Sequence, residues 1–63
     1  MSMPLITIKA IEGRTTEQKR GLIKDITEVV VKNFKVEPEA VIIDIVDYSR
    51  DNIAKTGKLL IDS

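Results

Sequence analysis

A chain of 63 residues with neither cysteine nor histidine has few routes to stability. It is at most one domain, and a domain this short buries a modest share of its surface. Small folds usually add disulfides, a structural metal or association with further copies. Disulfides are excluded here, and zinc loses its commonest ligands. Association is the route that remains. The hydrophobic share of 43% agrees with it, because a two-layer unit of this size has too little interior for so much apolar surface. Residues 1–63 are therefore read as one self-associating domain, with residues 1–3 as an extension before the first strand.

Charge and composition remove several function classes. Ten basic and ten acidic residues cancel, and the chain has one Tyr, one Phe and no Trp. A nucleic-acid binder would be expected to carry a basic patch and a stacking platform. No apolar run approaches the ~20 residues of a membrane-spanning helix, and no charged segment followed by an apolar one marks a signal peptide. A cytoplasmic protein with no nucleic-acid or membrane partner is the expectation.

The hydrophobic pattern predicts a β-α-β unit. In residues 4 to 11, Ile6, Ile8 and Ala10 alternate with Leu5, Thr7, Lys9 and Ile11, as in a strand with one apolar and one mixed face. Pro4 suits the first position, where a missing N–H costs no ladder bond. After Glu12-Gly13-Arg14, Thr15 and Gln18 have the spacing of a capping box. Leu22, Ile23, Ile26, Val29, Val30 and Phe34 then form a stripe at helical spacing, and the helix should stop near Asn33 to Lys35. Pro38 disfavours helix at Glu37, which predicts a turn. Residues 40 to 46 are the most β-prone stretch and are apolar on both faces, as for a strand covered on two sides. A strand, helix and strand joined this way make a right-handed crossover with parallel strands. Lys55-Thr56-Gly57-Lys58 reads as a tight turn before a short last strand, Leu59 to Ile61. The fold class expected is α+β, with a parallel pair, one helix and a C-terminal hairpin.

Most catalytic devices are absent. Without His or Cys there is no Ser-His-Asp triad and no Cys-His pair, and neither a phosphate loop nor a dinucleotide fingerprint occurs. Asp44 and Asp47 fall on opposite faces of a strand, so they are read as solvated rather than as metal ligands. No metal or cofactor is expected.

Two segments carry a resemblance. Pro4-Leu5-Ile6-Thr7-Ile8, followed by Ile11-Glu12-Gly13-Arg14-Thr15-Thr16-Glu17-Gln18-Lys19, resembles the opening of a 4-oxalocrotonate tautomerase subunit. Residues 52 to 60 resemble the hairpin region of that family, and nearly the whole chain from Pro4 follows the pattern. The resemblance implies a β-α-β subunit of about this length, assembled as a homohexamer (a trimer of dimers) with sites at subunit boundaries. It implies an isomerase that moves a proton between carbons of a small enol or dienol carboxylate. Pro4 would be the general base, through the secondary amine it gains as the first residue of the mature chain. Apolar surroundings lower the pKa of such an amine, since burial disfavours the charged form. Arg14 would bind the anionic substrate through a forked guanidinium, and Leu5, Ile11 and Ile53 would wall the pocket.

The chain departs from the family pattern at three points. Met1-Ser2-Met3 precede Pro4, and a proline nitrogen inside a chain is an amide without basicity. The family's second arginine, early in the second strand, aligns with Ile42, and an aromatic pocket residue aligns with Ile53. Arg50, Lys55 and Lys58 are loop cations able to replace the lost charge, although each reads first as a solvated surface residue. The alternative to the enzyme is a catalytically silent oligomer of the same fold, with a structural or small-molecule binding role. A third reading is one half of a hetero-oligomer whose other subunit supplies the second cation.

Overall fold

Parallel pairing of two seven-residue strands organises the chain. The computed structural model describes residues 3–62, so residues 1 and 2 of the expected extension lie outside the described residues. Strand β1 (Leu5–Ile11) leads into helix α1 (Thr16–Phe34), a 3₁₀ turn (Pro38–Ala40) and strand β2 (Ile42–Tyr48). β1 and β2 pair in parallel from Leu5 opposite Ile42 to Ile11 opposite Tyr48. The ladder extends by one bond at each end: Ile42 N donates to Pro4 O at 2.9 Å and Glu12 N to Tyr48 O at 2.8 Å. Pro4 thus contributes the carbonyl it has and is spared the N–H it lacks.

The helix begins where Thr15 and Gln18 place it. Thr15 Oγ1 accepts from Gln18 N at 3.1 Å, and Gln18 Oε1 accepts from Thr15 N at 2.9 Å, a reciprocal capping box. Gly13 stands at φ +122°, a backbone setting that side chains rarely tolerate, and lets the chain leave β1 for the cap. The helix ends at Lys35, which adopts a left-handed conformation (φ 58°, ψ 48°) and donates its N–H to Val31 O at 3.1 Å.

Side-chain alternation divides the sheet into two faces. Ile6, Ile8, Ala10, Ile43 and Ile45 are half-buried on the helix side. At the edge of that face, Lys19 of α1 binds Asp47 of β2 at 2.5 Å. The opposite face carries Leu5, Thr7, Lys9 and Ile11 beside Ile42, Asp44, Val46 and Tyr48, and there Thr7 Oγ1 donates to Asp44 Oδ1 at 2.7 Å. Asp44 and Asp47 do fall on opposite faces. The two-sided cover expected for β2 is supplied on one side within the chain, and Ile42 remains 46% exposed.

Three expected details are corrected. Strand β2 starts at Ile42 rather than Ala40, because Pro38 opens a 3₁₀ turn that Val41 N closes on Pro38 O at 3.2 Å. The last strand is Lys58–Leu59, not Leu59 to Ile61, because the chain turns into a second 3₁₀ segment at Leu60–Asp62. The helical stripe is also wider than this chain covers. Ile23, Ile26, Thr27, Val30 and Val31 are half-buried, whereas Leu22, Val29 and Phe34 are exposed. The tight turn is present: Thr56 and Gly57, both at positive φ, join β3 (Ala54–Lys55) to β4 (Lys58–Leu59).

The hairpin pairs with itself rather than with the parallel sheet. The radius of gyration is accordingly 15.1 Å, against about 11 Å for a compact chain of this length. Among the described residues no aliphatic or aromatic side chain is buried, and Pro4 is the one buried residue.

Replacing Thr15 by Ala removes one half of the capping box. The expected loss is about 1 kcal/mol of unfolding free energy, read by denaturant titration at fixed protein concentration.

Candidate active site

The parallel ladder sends the expected site residues to two ends of the subunit. Pro4 and Leu5 stand where β1 begins, beside Ile42. Ile11 stands where β1 ends, beside Tyr48. Seven residue steps of extended chain separate Pro4 from Ile11, about 23 Å at the rise of a parallel strand. Arg14 follows in the turn after Ile11, and its Nη1 lies 3.5 Å from Ile11 O. Ile53 follows β2 at that same end, half-buried, with its carbonyl accepting from Leu60 N at 2.9 Å. One subunit therefore sets Ile11 and Arg14 at one end of the ladder, with Ile53 in the chain that follows β2 there, and sets Pro4 and Leu5 at the other end.

The Pro4 end is largely apolar. Leu5 is 69% exposed on the uncovered sheet face. An open concavity beside Pro4 is lined by Met3, Phe34 and Val36 together with Lys35, Glu37 and Glu39. Ile42 donates its backbone N–H to Pro4 O and presents an aliphatic side chain where the resemblance leads one to expect a guanidinium. The Pro4 nitrogen is bonded to Met3 in this chain, so it is an amide there.

The Arg14 end is polar and cross-tied. Glu12 Oε2 accepts the backbone N–H of Arg50 at 3.1 Å, which fastens the loop after β2 to the turn after β1. Ser49 Oγ bonds to Asp51 within that loop. Neither Arg14 nor Arg50 forms an ion pair with a carboxylate of the described residues. Sequence reasoning missed the role of Glu12, which it treated as part of a short connection. The residue has no signal of its own in the sequence, because its partner is a backbone amide 38 positions away.

Among the described residues no helix is long and apolar enough to cross a membrane, and no group of three or more Asp or Glu residues is placed to hold a metal ion.

Known proteins share this arrangement over nearly the full length. The family model described as "Tautomerase enzyme" matches residues 4–62. The 2-hydroxymuconate tautomerase of Bacillus subtilis is 40% identical over 60 residues, covering 95% of this chain and 97% of that protein. The crystal structure of a 4-oxalocrotonate tautomerase homologue superposes with a TM-score of 0.93 at 30% identity, covering 97% of each chain. A heterohexameric 4-oxalocrotonate tautomerase from Chloroflexus aurantiacus gives a TM-score of 0.85 at 27% identity, over 95% of this chain and 97% of that one. A β-α-β unit with parallel strands and a C-terminal hairpin, matched from Pro4 to Asp62, makes this chain a tautomerase of the 4-oxalocrotonate tautomerase family.

Proposed function

We propose that this tautomerase, acting as one domain in a cytoplasmic homohexamer, ketonises a small enol or dienol carboxylate of the 2-hydroxymuconate kind. The observation that carries the reading is that β1 sets Pro4 and Arg14 at opposite ends of the subunit, with about 23 Å of strand rise between Pro4 and Ile11 and with Arg14 in the turn beyond Ile11. A base and an anion binder on opposite ends of one subunit meet where two subunits abut. Assembly has independent support in the uncovered sheet face, the exposed Leu22 and Val29, and the lack of a buried aliphatic core among the described residues. It also agrees with the hexameric relative. A chain without cysteine depends on no oxidising compartment, which suits the cytoplasm.

The chemistry then follows from the residues. With Pro4 first in the chain, its secondary amine takes the enol hydroxyl proton. The oxygen electron pair closes the carbonyl, the conjugated electrons shift, and the proton returns from the amine to carbon. No atom is gained or lost. Arg14 of a neighbouring copy holds a substrate carboxylate with two parallel hydrogen bonds and offsets charge that develops on oxygen. Leu5 from one copy, with Ile11 and Ile53 from the other, closes apolar surface over the diene. Ile42 takes no part in anion binding. The blocked nitrogen and the aliphatic Ile42 favour the silent oligomer as the competing reading.

A chain made to begin at Pro4 should consume 2-hydroxymuconate, followed by its ultraviolet absorbance. Both the same chain beginning with Ala and the chain retaining Met1 to Met3 should lose at least about 100-fold in kcat/KM. Equal rates for the Pro4 and Ala chains would reject the proline base. Leu5→Asp places a charge on the uncovered face and should shift the assembly toward smaller species in sedimentation at micromolar concentration. Arg14→Ala should assemble normally and raise KM about tenfold or more.

A further inference from the structure

Ile42 leaves the proposed site short of a cation, and the fold restricts which cation replaces it. Lys19 is engaged with Asp47, and Arg20 with Glu17 at 2.9 Å. Lys9 lies midway along β1, opposite Val46, away from both ends of the ladder. Lys35 lies at the Pro4 end but shares its concavity with Glu37 and Glu39, which oppose an anion there. Lys55 and Lys58 pair across the two-residue hairpin, and an ammonium lacks the planar fork that grips a carboxylate with two parallel hydrogen bonds.

Arg50 differs from all of these. Its backbone is held from both sides: the N–H by Glu12 Oε2 at 3.1 Å, the carbonyl by Ile61 N at 3.2 Å. Glu12 is two residues from Arg14, so the bond fixes the Arg50 backbone beside the turn that carries Arg14. The Glu12 carboxylate is thereby committed to a backbone amide. Both arginine side chains are exposed and form no ion pair among the described residues. Two permanently charged forks at one end of a subunit, neither with a carboxylate partner among the described residues, match a ligand with two carboxylates.

We propose that Arg50 is a second anion-binding residue, which with Arg14 of the same subunit forms a two-guanidinium clamp for a small conjugated dicarboxylate. The clamp rests on the reading of the site given above. It places both cations on the subunit facing Pro4, and none beside Pro4 itself.

Binding of unreactive six-carbon dienes by calorimetry tests the clamp without turnover. The probes are muconate, with two carboxylates, and sorbate, with one, added to the assembled chain beginning at Pro4. The wild type should bind muconate more tightly than sorbate. Arg50→Ala should weaken muconate about tenfold to a hundredfold and leave sorbate within about threefold. Arg50→Lys keeps the charge without the fork and should recover part of the loss. It also serves as the test variant if the alanine form does not assemble in sedimentation. The clamp is rejected if muconate affinity is unchanged in the assembled variants, if sorbate weakens as much as muconate, or if the wild type does not prefer muconate. Should the Pro4 and Ala chains turn over equally while muconate still depends on Arg50, the proline base fails and the clamp stands.

Discussion

The parallel register of β1 on β2 is the constraint on which the rest depends. A parallel pair needs a crossover, and α1 supplies it by lying across one sheet face. The same register sets both strand starts at one end and both strand finishes at the other. Pro4 and Ile42 therefore neighbour each other, as do Glu12 and Tyr48. An antiparallel pair of equal length would have set the start of one strand beside the finish of the other. The separation of Pro4 from Arg14 follows from strand direction before any side chain is considered.

Much of this was legible in the sequence, for identifiable reasons. The capping box, the Thr56-Gly57 turn and the alternation in β1 are local, and local chemistry determines them. The strand boundaries around Pro38 and Leu60 were displaced because short 3₁₀ turns leave little mark on a hydrophobic pattern. In sequence the helical stripe is one surface, because periodicity shows which residues are apolar and not what covers them. Leu22 and Val29 share the stripe with Ile23 and Ile26, yet the narrow two-stranded sheet covers only the latter pair.

The expected site was legible as a set of candidate residues but not as a place. Nothing local to Pro4 or Arg14 tells which end of the molecule each occupies; that emerges from the ladder linking residues 5–11 to residues 42–48. Glu12 was missed for a related reason. Its carboxylate serves the backbone of the loop after β2, a contact formed only once the two strand ends lie side by side.

The two-ended subunit has a consequence for inheritance. In the proposed arrangement, a site that joins Pro4 of one copy to Arg14 of another belongs to no single chain. There, a subunit damaged at Pro4 would still lend an intact arginine end to its neighbour, and one damaged at Arg14 would still lend an intact Pro4 end. Such damage would be shared across an assembly rather than confined to the copy that carries it. Two diverging gene copies would then be free to specialise, each keeping the end the other had lost.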